Sequence, residues 1–116
     1  MKYILSALFA AICISCVQPA HVQSVTFSLD AEGVPRGSIV AVRGSDRPLS
    51  WDTDTIMEFD SISNRYICTV KIVTGYKFTE YKYVINGGFE SLAGGNRRLS
   101  FDESRRTIVV DRLNRH

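Results

Sequence analysis

The chain lacks the cross-links that hold many small exported domains together. It has three cysteines in 116 residues, and two of them, Cys13 and Cys16, fall in an apolar N-terminal run. That leaves Cys68 alone in the remainder, so no internal disulfide can form there. Cys68 alternates with Tyr66 and Val70, the pattern of a buried structural thiol in a strand. Histidine is equally scarce. His21 and His116 lie near the two ends, so a histidine-based triad or metal site has nowhere to assemble. An excess of one charge is missing too. Without Lys2, 13 basic residues face 12 acidic ones. Nucleic acid and anionic membrane both demand a basic field, so this near balance argues against either as partner. Even the basic run Arg105, Arg106, Arg112 and Arg115 is interleaved with Asp102, Glu103 and Asp111, as expected of a solvated edge strand. No glycine-rich phosphate loop opens a helix. Asp52 with Asp54, Glu58 with Asp60, and Asp102 with Glu103 are carboxylate pairs by sequence only, each read as a turn or a solvated face rather than the two flanks of a hydrolytic cleft. The chain therefore reads as a non-enzyme with no cofactor.

What is present begins with one uncharged apolar run, Tyr3 to Val17, behind Met1-Lys2. A basic start and a run this short predict a secretory signal, because a membrane-spanning helix needs about 20 apolar residues. Ile14-Ser15-Cys16 resembles a bacterial lipobox, which implies lipidation of Cys16 as the first mature residue. Cys13 stands where that motif usually has Leu, and cleavage after Ser15 by an ordinary signal peptidase is the alternative. The expected organisation is a signal at 1–16, a short linker at 17–23, one domain at 24–112 and a tail at 113–116. The expected location is the bacterial cell envelope, membrane-anchored, or the medium.

Beyond the signal, periodicity of two dominates. Val25, Phe27 and Leu29 alternate with Thr26 and Ser28, predicting a strand with one buried face. Further strands are predicted at Ser38 to Arg43, Ile56 to Phe59, Tyr66 to Ile72, Phe78 to Ile85, Phe89 to Leu92 and Arg106 to Asp111. Asn86-Gly87 is a strong hairpin signal, since both central residues of a type I′ turn need positive φ. About seven short strands at intervals of about ten residues predict an all-β antiparallel sandwich or open barrel. Its core would draw on Val25, Phe27, Leu29, Val40, Val42, Tyr66, Cys68, Val70 and Val84.

Four short motifs carry chemistry. They are Gly44 with Pro48-Leu49-Ser50-Trp51-Asp52, then Glu80-Tyr81-Lys82-Tyr83, then Phe89-Glu90, then Asn96-Arg97. A sugar ring stacks its C–H face on a flat aromatic, while its hydroxyls need a cation, an amide and a carboxylate. In order and rough spacing the motifs resemble the starch-binding domain of family 20 carbohydrate-binding modules, over residues 24 to 111. The resemblance implies an immunoglobulin-like fold and a carbohydrate site formed by Trp51, Lys82, Phe89, Glu90 and Asn96. Taken without it, Trp51 reads as an anchor of its loop, Lys82 as the solvent side of a strand and Asn96 as a turn residue after Gly94-Gly95. The chain departs from the family in having Phe89 in place of a second tryptophan and Ser50 in place of a glycine; the smaller ring implies weaker binding.

The expected function is non-catalytic binding of α-glucans (starch, glycogen or maltooligosaccharides), beside an amylase or other glycan-utilisation proteins. Two alternatives stay open. A structural or interaction lipoprotein would keep the sandwich with sugar motifs as relics. A glycosidase inhibitor would present the Trp51 loop to an enzyme cleft, although small secreted inhibitors usually rely on disulfides. An exposed Trp51 favours binding and a buried one favours the scaffold.

Overall fold

The computed structural model describes residues 19–92 and 94–113. The expected signal, the candidate lipidation at Cys16 and residues 114–116 of the expected tail lie outside the described residues. The described chain is an all-β sandwich of nine strands: β1 (His21–Asp30), β2 (Val40–Gly44), β3 (Thr55–Ile56), β4 (Glu58–Asp60), β5 (Arg65–Thr74), β6 (Phe78–Ile85), β7 (Gly88–Phe89), β8 (Arg97–Ser100) and β9 (Arg106–Arg112). One sheet has the order β4-β5-β1-β9. The other runs β3-β2-β6, with β7 and β8 both pairing the far edge of β6.

The core lies between the sheets and follows the alternation read in the sequence. Val25, Phe27 and Leu29 from β1 meet Val40 and Val42 from β2, Tyr66, Val70 and Ile72 from β5, and Tyr81 and Tyr83 from β6. Each fully buried aliphatic or aromatic side chain contributes about 1.5–3 kcal/mol by leaving water. The rings interlock as well as pack: Phe27 lies 5.0 Å from Tyr81 and 6.4 Å from Tyr83, centroid to centroid.

Several expectations are revised. β1 starts at His21, not at residue 24, because His21, Val22 and Gln23 pair with Thr74, Val73 and Ile72 of β5; the folded part reaches into the expected linker. The sandwich is not wholly antiparallel, since β9 runs parallel to β1. Strand count rises to nine because Met57, buried, separates β3 from β4 and because β8 adds a strand. The expected return strand Phe89 to Leu92 ends at Phe89, and β8 was not foreseen. Cys68 is only partly buried against the core, and burial, with a smaller contribution from Glu58, pushes its thiol pKa up. Val84 is fully buried as expected, but on the outer face of its sheet and outside the main core cluster, beside its register partners Ala41, also fully buried, and Phe89.

The turn at Asn86-Gly87 forms as expected, with φ of 49° and 84°. The Asn86 side-chain oxygen also accepts the Ile39 N–H at 2.8 Å, and the Asn86 backbone N–H donates to the Ile39 carbonyl at 2.8 Å. This ties the β6–β7 hairpin to the start of β2 and fixes where Phe89 emerges.

Candidate functional site

The outer face of the β3-β2-β6-β7/β8 sheet gathers most of the predicted residues. Lys82 projects there because its neighbours Tyr81 and Tyr83 face the core. Directly across the ladder from Lys82 is Arg43 of β2, and Phe89 of β7 pairs with Val84 two residues further along β6. Phe89 is 47% exposed. The Lys82 Nζ lies 5.7 Å from its ring centroid and the Arg43 Cζ 5.3 Å from it.

Trp51 reaches the same place from the loop between β2 and β3. Its ring centroid is 6.4 Å from that of Phe89, with the planes inclined at 54°. The loop is built to hold it. Gly44 comes so close to β6 that a Cβ there would stand 2.8 Å from the Glu80 carbonyl oxygen and 2.8 Å from Leu49 Cδ1. Only glycine lets the chain turn away at that contact. The loop then closes on itself: the Gly44 N–H donates to the Ser50 carbonyl, the Ser45 N–H to the Glu80 carbonyl, and the Leu49 side chain is buried. Arg43 completes the attachment, donating from Nη1 to the Trp51 carbonyl at 3.0 Å and from Nε to Asp54 Oδ1 at 2.8 Å. Trp51 itself is half-buried.

Asn96 belongs to the same face less directly. Its Nδ2 donates to Glu80 Oε1 at 3.4 Å, and Glu80 sits two residues from Lys82 on the outward side of β6.

Glu90 does not join them. Its carboxylate is fully buried, bonded by Arg97 Nε and Nη2 at 2.8 Å each and by the Tyr83 N–H at 3.0 Å. The Glu90 N–H in turn donates to the Tyr83 carbonyl. β8 leaves β6 at Tyr81 and β7 joins it at Val84, so the backbone of Tyr83 falls in the gap. Glu90 fills that gap, and this is why the return strand stops at Phe89. The charge is tolerated because Arg97 forks onto it. Arg97 also bonds the Arg112 carbonyl and lies 3.4 Å from Asp111, which accepts from the hydroxyls of Tyr81 at 2.6 Å and Tyr83 at 2.7 Å. Burial is the main cause raising the pKa of both tyrosines above its ordinary value, with the Asp111 carboxylate reinforcing it. The predicted sugar-reading glutamate is thus part of the polar seam that joins β9 to β6.

Arg43 is the functional candidate that the sequence reading missed. In sequence it shows only as the outward residue between Val42 and Gly44; its place beside Lys82 follows from the strand register. The face as a whole offers two tilted aromatic rings, an ammonium and a guanidinium beside them, and an amide–carboxylate pair a few residues away. Such a surface can pack an apolar ring face and donate hydrogen bonds around its rim. No protein-family model matches the chain, and no curated protein matches it in sequence.

Proposed function

We propose that the domain is a non-catalytic α-glucan-binding module acting outside the cytoplasm, held at the envelope through a lipid on Cys16. The observation that carries this reading is the meeting of Trp51, Phe89 and Lys82 on one face of a β-sandwich, from three separate stretches of sequence. A glucose ring would rest against Trp51 and Phe89, with Lys82 and the Asn96 amide donating to its hydroxyls. Glu90 holds Phe89 and β6 in place and makes no sugar contact. The rings are inclined rather than coplanar, which suits the curved face of a helical glucan better than a flat β-linked chain.

Retention of the mature protein on starch, amylopectin or glycogen affinity gels tests the reading. Retention that is lost in Trp51→Ala supports it; unretarded migration of the wild-type protein in all three contradicts it. Mass spectrometry of membrane fractions tests the anchor separately: a soluble form with an unmodified N-terminus removes the lipid while leaving the glucan claim standing.

A second reading, a structural β-sandwich without sugar affinity, is favoured by the half-burial of Trp51 and by its carbonyl bond to Arg43. It predicts that Trp51→Ala lowers stability and changes no binding.

A further inference from the structure

Four exposed apolar side chains share one surface, the outer face of the β4-β5-β1-β9 sheet. Val22 is 52% exposed, Val73 66%, Ile108 73% and Val110 69%. Strand register sets them in rows across β5, β1 and β9. Val73 pairs with Val22 nearest the start of β1. Lys71, Ser24 and Arg106 form the next row, then Thr69, Thr26 and Ile108, then Ile67, Ser28 and Val110. Side chains two apart along a strand share a face, so all of these point away from the core.

The neutral polar groups in these rows already have partners. Thr26 and Thr69 join their hydroxyls at 2.9 Å. Arg65 reaches across β1, donating from Nε to Ser28 Oγ at 2.6 Å and from Nη2 to the Ser28 and Asp111 carbonyls. Lys71 and Arg106 are exposed, and neither forms a salt bridge among the described residues. None of the four rows holds a carboxylate. Glu58 stands beside Ile67 at the β4 edge, and Asp60 and Asp30 come only in the row beyond, opposite Arg65 and Arg112. A chain of nearly balanced charge thus has one face where two unpaired cations lie between apolar rows.

The tether decides what covers it. Val22 is the second residue of β1, and only Val17, Gln18, Pro19 and Ala20 separate His21 from Cys16. Those five steps span about 17 Å at full extension, so a lipid on Cys16 keeps the start of β1 that close to a bilayer. Either the end of the sandwich or this face must then meet the membrane. The end carries both signs, since Asp102 and Glu103 border it along with Lys77, Arg98 and Arg105. The four rows of the face carry positive charge alone.

We propose that this face lies on the anionic bilayer to which Cys16 tethers the chain. Lys71 and Arg106 pair with lipid phosphates, while Val22, Val73, Ile108 and Val110 settle among the headgroups. The inference rests on the lipid reading of Cys16. The outer faces of the two sheets of a sandwich point in opposite directions. Trp51, Lys82 and Phe89 are therefore turned away from the membrane, open to a polymer in solution.

Cosedimentation with vesicles tests it, using the chain from Val17 onward, which keeps all nine strands and carries no lipid. The protein is expected to bind phosphatidylglycerol vesicles, to bind phosphatidylcholine vesicles far less, and to lose the difference at high salt. Lys71→Gln/Arg106→Gln should lower the partition about tenfold or more. Ile108→Ser/Val110→Ser should lower it severalfold at an unchanged melting temperature, and Trp51→Ala should leave it intact. The proposal is overturned if phosphatidylglycerol vesicles do not retain the protein, or if retention survives both face variants. Loss of retention in Tyr76→Ser/Lys77→Gln instead overturns it by placing the end against the membrane. A dimer in solution that Ile108→Ser/Val110→Ser dissociates overturns it in favour of a second copy as the occupant. Mass spectrometry of the native N-terminus reports on the lipid independently, so failure of the face and failure of the anchor are told apart.

Discussion

Single residues divide into those that present the outer face and those that support it from behind. Trp51 and Phe89 present it. An aromatic contact of this kind contributes about 1 kcal/mol beyond area burial, so Trp51→Ala should lower glucan affinity about tenfold, and Lys82→Ala should lower it less. Phe89→Trp should tighten binding, measured by gel retention against the wild type. Arg43 supports the face: it bonds the Trp51 carbonyl and Asp54 and lies over Phe89. The ion pair itself is part-exposed and is worth no more than about 1 kcal/mol to stability. Arg43→Met should therefore weaken glucan binding while shifting the melting temperature by only a few degrees. Arg97 is different. Its substitution by Leu strands the Glu90 carboxylate in a fully buried position, which should cost about 3–5 kcal/mol in chemical denaturation. Replacing Glu90 and Arg97 together should recover part of that loss.

At the scale of elements, the sequence was most readable where one side chain in two meets the core. β1, β2, β5 and β6 all place one side chain in two in the core, although Ser28, Ala41 and Val84 are buried out of phase, and Asn86-Gly87 announced its hairpin through the positive φ that both positions adopt. It was least readable where a side chain replaces the backbone ladder. Nothing in the order Phe89-Glu90-Ser91-Leu92 reveals that a carboxylate, not a strand, will satisfy the Tyr83 N–H; that depends on Arg97, seven residues later, arriving to neutralise it. β8 is short and heavily charged, so periodicity gave no sign of it. The same limit applies to the site. Trp51, Lys82 and Phe89 were identified as residue types, but the position of Arg43 across from Lys82 depends on strand register, which sequence does not display. The β2–β3 loop offers the sharpest test at this scale. Gly44→Ala places a methyl 2.8 Å from a backbone carbonyl that cannot turn aside. It should cost about 1–3 kcal/mol and, by shifting the loop, reduce glucan retention as Trp51→Ala does.

Across the whole molecule, the sheets are joined on the β9 side by hydrogen bonds from Tyr81 and Tyr83 to Asp111. This has a consequence in alkali. The ordinary tyrosine value is 10.0, and both groups are raised above it in the folded protein, chiefly by burial. The folded state therefore holds these protons where the unfolded chain releases them. The associated stability is intact below pH 10 and falls progressively as pH rises above it. Urea midpoints compared at pH 8 and pH 11 should show this decline, and Tyr81→Phe with Tyr83→Phe should flatten it. A midpoint equally sensitive in the double variant would place the alkaline loss elsewhere. The central claim concerns the opposite side of the same strand, where Lys82 faces outward between those two tyrosines. It is tested most directly by amide chemical-shift mapping of the isotope-labelled mature protein during titration with β-cyclodextrin. The account predicts saturable shifts confined to the Trp51 indole and the amides around Arg43, Lys82, Phe89 and Asn96, and their disappearance in Trp51→Ala. A spectrum unchanged at millimolar ligand, or shifts centred away from that face, would contradict it.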